Sequence, residues 1–381
     1  MEQLDKDKEK SEPVKQVEKG GREKARNELI KRIEKEIGQG LISRLVHEKD
    51  AKKIDVIPTG SLALDLALGT GGYPKGRIIE VYGNPSSGKS LLSLLAIAQA
   101  QKLGELCALV DAEHAFDPSW AKALGVDITK LDVVTFDNGE QALDLINAMV
   151  RSGVYGIIVL DSVAGLVPKA EIEGDMSTLR IAGIARMLSQ GLRVLTQFID
   201  KTQTIFICIN QLRETIGNNW GPTSTTPGGL ALKFYASIRI KVGIKSGSQV
   251  KDKSTNKVYG HVINTEVVKN KCSAPKGTAE IAVDYRYGVD PYREACVVGV
   301  KMGIIKQAGA SFQFKELKTQ GAAKFLEAIK KDPVMYEEIR KEIKDKPLDP
   351  CETDSIINEE KEVKTDEEER PNDPDAQIQP K

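Results

Sequence analysis

The segment that most constrains this chain is Gly83-Asn84-Pro85-Ser86-Ser87-Gly88-Lys89-Ser90, which fits the pattern G-x-x-x-x-G-K-[ST]. It follows the β-branched run RIIEVY and opens the apolar stretch KSLLSLLAIAQAQKLG, so a strand, a tight turn and a helix are expected in succession. Glycines let successive backbone amides converge on one point, and the helix N-terminus adds to the same positive field. Such a loop cradles phosphates, with Lys89 expected on the β- and γ-phosphates and Ser90 on Mg²⁺. A glycine-rich turn arising by chance would lack the flanking strand and helix.

From Ile54 onward, short β-branched runs alternate with longer helical stretches: RIIEVYG, the KSLL helix, LCALVDAEH, GIIVLD, a helix over residues 182–198, then TIFICINQ. This rhythm predicts an α/β fold with a mostly parallel sheet flanked by helices. Four apolar strands that each end in polar residues predict one shared edge for chemistry. Beyond Leu212, RETIGNNWGPTSTTPGG has almost no periodic apolar residue, and so long a loop inside a compact domain is usually functional or disordered. FYASIRIKVG and HVINTEVVKNK read as a strand meander at the sheet edge.

The flanks differ from this body. Residues 1–24 read as a disordered charged arm, and residues 25–50 as an N-terminal region built on an amphipathic helix carrying Ala25, Leu29, Ile30, Ile33 and Ile37. Residues 51–286 form the expected core, residues 287–345 a small C-terminal domain, and residues 346–381 an acidic disordered tail. The net charge of zero conceals a division: residues 346–381 carry −7 and the remainder +7. A basic body attracts an anionic polymer, and an acidic tail repels one.

Several function classes are disfavoured. No run of about 18 apolar residues occurs and the first residues are highly charged, which predicts a soluble, cytoplasmic protein with no membrane partner. The five cysteines and three histidines are scattered without ligand spacing, so neither a zinc site nor a disulfide framework is expected.

Three polar residues stand at the ends of predicted strands. Asp161 closes GIIVLD, where a carboxylate can hold Mg²⁺ or its water shell, although a strand-ending Asp often caps a helix. Glu113, in LVDAEHA, is placed to deprotonate an attacking water, with Asp111 competing for that role. Gln211 closes TIFICINQ beside the long loop and is either a phosphate sensor or a residue that merely ends a strand.

The strings VYGNPSSGKS, DAEHAFDP, VLDSVAGLVPKAEIEG, INQLR, TTPGG with ALKFYAS, and VVKNK together resemble the bacterial branch of the RecA/Rad51 family of P-loop ATPases, in order from about residue 27 to 348. The resemblance implies a RecA-like core, an N-terminal polymerisation helix that docks on the adjacent subunit, and a small α+β C-terminal domain. It implies ATP and Mg²⁺ as cofactors, with Gly83, Asn84, Pro85, Ser86, Ser87, Gly88, Lys89, Ser90 and Asp161 around the phosphates and metal. Asp117 and Trp120 would contact adenine. Glu113 becomes the catalytic base and Gln211 the coupler to DNA, while Lys269 and Lys271 reach the neighbouring subunit's ATP.

The same resemblance implies partners: single-stranded DNA, double-stranded DNA, further copies of the chain in a helical filament, and a LexA-like repressor of the damage (SOS) response. DNA contacts carry over to Arg186, Ser189, Arg193, Arg213, Gly228 and Gly229, with Ile181 and Trp220 near the bases. Lys233 and Phe234 fall at the subunit interface. Read as bare sequence, the arginines fit a solvated helix face, the lysine pair a solvated strand face, and Phe234 a core position.

Three departures stand out from the family pattern. Pro85 stands where the family generally has Glu, with Asn84 replacing a Pro. DMSTLRI puts Leu179 and Arg180 in a first loop that is usually small and polar. Leu230 follows the glycine pair where Asn or Arg is usual. Two other readings stay open: a ring-forming motor of the same superfamily, and a paralogue that binds DNA while hydrolysing ATP poorly.

Overall fold

The structure is a computed structural model that describes residues 21–38, 42, 54–174, 183–214, 224–251 and 257–346. The charged arm up to residue 20, the centres of the two loops that the family resemblance sets against DNA (a first over residues 173–181 with Ile181, a second over residues 212–229 with Trp220), and the acidic tail beyond Lys346 lie outside the described residues. The chain forms two units, residues 1–53 and 54–381. In the first, helix α1 (Arg22–Glu36) follows the expected periodicity and buries none of its residues. Leu29 on it and Ile37 at its end are 52% and 73% exposed, while Ala25, Ile30 and Ile33 are half-buried.

The second unit is built on a ten-stranded sheet. Its elements begin with helix α2 (Leu62–Leu68), strand β1 (Ile78–Gly83), helix α3 (Lys89–Lys102), strand β2 (Leu106–Asp111), helix α4 (Pro118–Ala123) and strand β3 (Leu131–Val134). Helix α5 (Gly139–Ser152), strand β4 (Tyr155–Asp161), helix α6 (Gly183–Thr202), strand β5 (Ile205–Gln211), helix α7 (Ala231–Tyr235) and strand β6 (Ile238–Ile244) follow. Strands β7 (Val258–Asn270), β8 (Thr278–Asp284) and β9 (Gly288–Val289) complete the main path, in the spatial order β9-β8-β7-β6-β1-β5-β4-β2-β3. The strands from β6 to β3 run parallel, and β6 to β9 form the antiparallel meander at one edge.

Continuous apolar runs are needed in the central strands because both faces are covered. In β4, Ile157 and Val159 pack toward α3, while Ile158 and Leu160 pack toward α5 and α6. The same alternation places Ile205, Ile207 and Ile209 of β5 on one side and Phe206 and Cys208 on the other. The chain continues through helix α8 (Pro291–Lys301), a three-stranded sheet over residues 306–320, and helices α9 (Ala322–Lys331) and α10 (Pro333–Asp345). These residues enclose their own apolar cluster of Ile305, Phe314, Phe325, Ile329, Ile339 and Ile343, joined by Leu62 from α2.

The parallel register is what assembles the site. Gly83 pairs with Gln211, and Asp111 with Asp161, so the carboxyl ends of β1, β5, β4 and β2 share one edge. Ligands of open α/β sheets bind at this edge, where helix N-termini also converge.

Candidate functional site

The phosphate-binding turn begins at Gly83, where a Cβ would lie 2.0 Å from the carbonyl oxygen of Val242 on β6. Only glycine lets the strand and turn sit that close. Gly88 precedes α3 with φ +97°, and a Cβ there would strike Ile263 Cδ1 at 2.2 Å. Lys89 is 7% exposed, and its Nζ donates to the carbonyl oxygen of Asn84 at 2.7 Å, folding the side chain back over the loop. Burial pushes its pKa down, which nearby Asp161 and Glu113 partly oppose. The buried Ser87 Oγ has no hydrogen-bond partner among the described residues.

Ser90 Oγ donates to Asp161 Oδ2 at 2.6 Å. Burial, with Glu113 and Asp111 nearby, pushes the Asp161 carboxyl up to about 6, against the lowering effect of the Ser90 bond. Two hard oxygens beside a phosphate loop suit Mg²⁺, which takes one or two protein oxygens and fills its remaining positions with phosphate and water. Among the described residues, no group of three or more His, Cys, Asp and Glu could hold a metal by itself.

The competition between Asp111 and Glu113 is visible in their contacts. Asp111 is 8% exposed and accepts from the amides of Ala115 and Phe116 at 3.3 and 3.1 Å, which closes the turn after β2. Glu113 is exposed, and its Oε1 accepts from Gln211 Nε2 at 2.7 Å and from Ser162 Oγ. One carboxylate is thus tied to its own backbone, and the other faces outward beside the strand that leads to the second loop. Leu212 N donates to Gly83 O at 3.1 Å, so the start of that loop is tied to the phosphate turn.

A cavity of about 250 Å³ adjoins the turn, lined by Ser86–Leu91, Trp120, His261, Ile263, Val283 and Tyr285. Trp120, expected with Asp117 at the base, lines this cavity. Asp117 caps α4, its Oδ1 accepting from Ser119 N and Trp120 N at 2.8 and 3.2 Å. No sequence motif marks the opposite wall. Strand alternation would have put His261 and Ile263 on one face of β7, but only the β7–β8 pairing brings Val283 beside them.

Five of the candidate DNA-facing residues, Arg186, Ser189, Arg193, Gly228 and Gly229, lie on or against α6. Arg186, Ser189 and Arg193 are exposed at i, i+3 and i+7, opposite the buried stripe Leu188, Leu192, Leu195 and Ile199. Arg213 is exposed at the start of a two-strand ladder with residues 224–225. Gly228 has φ +87°, and a Cβ there would meet Leu188 Cδ1 at 2.4 Å, while one on Gly229 would meet Ala185 at 3.0 Å. The glycine pair thereby lets the end of the second loop lie on α6.

Lys269 lies near the end of β7, and Lys271 directly follows that strand. Lys269 Nζ donates to the carbonyls of Lys233 and Phe234 at 2.7 and 3.1 Å, and Lys271 Nζ to that of Phe234 at 3.4 Å. Within one subunit they complement the carbonyl end of α7. Phe234 is 67% exposed and is no core residue, with Leu230 beside it at 62%. Lys233 Nζ donates to Thr225 Oγ1 at 3.3 Å.

The turn, the Ser90–Asp161 pair and the carboxylate at the neighbouring strand end, set on this mixed sheet, define a P-loop protein of the RecA-like α/β class. Residues 24–290 match the family model for the RecA N-terminal domain. Protein RecA of Thermus thermophilus is 48% identical over 321 residues, covering 84% of this chain and 93% of that relative. Protein RecA of Francisella tularensis subsp. novicida is 48% identical over 323 residues, covering 84% and 89%. The chain belongs to the RecA family. No helix among the described residues is long and apolar enough to cross a membrane.

Proposed function

We propose that the chain is an ATP-dependent recombinase that polymerises on single-stranded DNA, pairs it with a homologous duplex and exchanges strands. The Glu113–Gln211 hydrogen bond carries this reading, because it joins a carboxylate fit to activate water to the first residue of the path toward DNA. In this account Gly83–Ser90 hold the triphosphate, Trp120 packs on adenine, and Ser90 with Asp161 hold Mg²⁺, which neutralises phosphate charge when bound. Asp117 acts by fixing the turn that carries Trp120.

Glu113 takes the proton of the attacking water. Its Oε1 is engaged by Gln211 and Ser162, so Oε2 is the atom that accepts it. Gln211 can exchange its bond to Glu113 for one to the γ-phosphate, and its movement then shifts Leu212 and Arg213, which lead into the second loop. Lys269 and Lys271 release the carbonyls at the end of α7 and serve the ATP of the adjacent subunit, as an arginine finger would.

DNA lies across Arg186, Ser189, Arg193, Arg213, Gly228 and Gly229, with Ile181 and Trp220 near its bases. Lys233 and Phe234 meet the neighbouring subunit, and α1, with Leu29 exposed, supplies the other contact. Head-to-tail packing of this kind does not close, so it yields a filament. Such a filament also activates self-cleavage of a LexA-like repressor, and the protein works in the cytoplasm. The reading is tested by measuring ATP hydrolysis with and without single-stranded DNA. Hydrolysis that DNA stimulates is expected, and an ATPase indifferent to DNA would overturn it.

A further inference from the structure

The cavity beside the phosphate turn contains one polar pair that has no task in the hydrolysis of ATP. Tyr285 follows directly on β8 and is 51% exposed, yet it lines the cavity. Its backbone is pinned. Tyr285 N donates to Tyr259 O at 2.8 Å, and next to it Asp284 accepts from Arg286 N, Nε and Nη2 at 2.9, 2.8 and 2.6 Å. The Arg286 guanidinium lies 4.6 Å from the centre of the Tyr259 ring, which braces the turn further. What remains is the rotation of the Tyr285 side chain.

His261 restrains that rotation. Its Nδ1 lies 3.0 Å from the Tyr285 hydroxyl, and the two ring centres are 5.4 Å apart with a 46° tilt. Its Nε2 is buried and has no hydrogen-bond partner among the described residues, so the bond to Tyr285 is what orients the ring. Burial lowers the pKa of the imidazole, which keeps the ring uncharged at neutral pH. It therefore acts by holding the hydroxyl and adds no cation to the cavity.

We propose that His261 is a positioning residue for nucleotide binding: it holds Tyr285 by its hydroxyl as a fixed aromatic wall of the cavity shared with Trp120. The inference rests on the nucleotide reading and deepens it. A half-exposed tyrosine that is ordered before the ligand arrives loses less freedom on binding, and a fixed ring offers the base a preorganised stacking surface. If the pair merely braced the sheet edge, its loss would lower the melting temperature and leave ATP affinity alone.

The test is a double-mutant cycle on ATP affinity, measured by equilibrium dialysis with His261→Leu, Tyr285→Phe and the combined variant, alongside thermal melts. Loss of one neutral hydrogen bond predicts that each single substitution weakens ATP by about three- to tenfold, and that the double is no weaker than either. His261→Asn, which keeps a polar atom near the position of Nδ1, should recover at least half of the loss. For His261→Leu, KM should rise by a larger factor than kcat falls. Single variants that bind ATP like the natural protein, additive losses, or a loss in His261→Leu absent from Tyr285→Phe would overturn the inference while leaving the nucleotide reading intact. Failure of the natural protein itself to bind ATP would instead overturn both.

Discussion

Glu113 and Gln211, 98 residues apart in the chain, meet through a 2.7 Å hydrogen bond at the carboxyl edge of the sheet. The bond exists because β2 and β5 both end at that edge, with β4 between them. It makes the state of the carboxylate and the start of the second loop parts of one arrangement.

Glu113→Gln keeps the shape and the neighbours of this side chain while removing its basicity. ATP binding by this variant should be retained, and hydrolysis should fall by about 10²- to 10⁴-fold, the usual contribution of a general base. Single-turnover hydrolysis measured beside ATP dialysis separates the two effects. Equal losses in both would show that Glu113 serves binding.

Gln211→Ala removes the amide but leaves Glu113 with Ser162. Hydrolysis without DNA should then persist, and the increment caused by single-stranded DNA should disappear. The ratio of the two rates is the quantity to measure. A ratio equal to that of the natural protein would dissociate Gln211 from DNA sensing.

Much of this arrangement was legible in the sequence. The turn at residues 83–90 lies between an apolar strand and an apolar helix, and each of the four strand ends can be read locally. The choice between Asp111 and Glu113 could not be made that way, because it depends on which carboxylate the Ala115 and Phe116 amides capture. The wall made by His261, Val283 and Tyr285 was hidden for another reason: edge strands β7 and β8 bring it to the turn through long-range pairing, and alternation alone leaves that register open. The family resemblance named Lys269 and Lys271, yet their bonds to the carbonyl end of α7 follow only from the position of that short helix.

Gly228 illustrates a glycine whose steric need is plain only in three dimensions. Gly228→Ala must place a methyl group at φ +87° against Leu188, and should destabilise the protein by about 1–3 kcal/mol. Chemical denaturation of the full chain reads this directly. Unchanged stability would mean that the loop end can leave α6 without cost.

Asp65, at the start of α2, is 7% exposed, and burial raises its pKa to about 7 from 3.8, with Glu294 contributing and the Thr59 hydrogen bonds opposing. A carboxyl that binds its proton more tightly in the folded state contributes stability that is complete below pH 3.8 and lost as pH rises through about 7. Asp65→Asn cannot ionise, and its Oδ1 can still accept from Thr59 N, as Asp65 does at 2.8 Å. The melting temperature of the variant minus that of the natural protein should therefore grow more positive from about pH 4 to about pH 8, following the pKa of about 7. A flat difference would show that Asp65 is not the titrating group.

Deleting residues 346–381 removes a net charge of −7 from a body of +7. Binding to duplex DNA should strengthen and depend less on Mg²⁺, since the competing anionic segment is gone. Titration of labelled duplex at several Mg²⁺ concentrations measures both. Identical isotherms for the two forms would remove the tail from the account.

Strand exchange between a single strand and a homologous duplex tests the central claim most directly. With ATP and Mg²⁺, the natural protein should transfer the strand, and Lys89→Ala, which lacks the side chain folded over the phosphate turn, should not. A natural protein that binds ATP and single-stranded DNA yet exchanges no strands would contradict it.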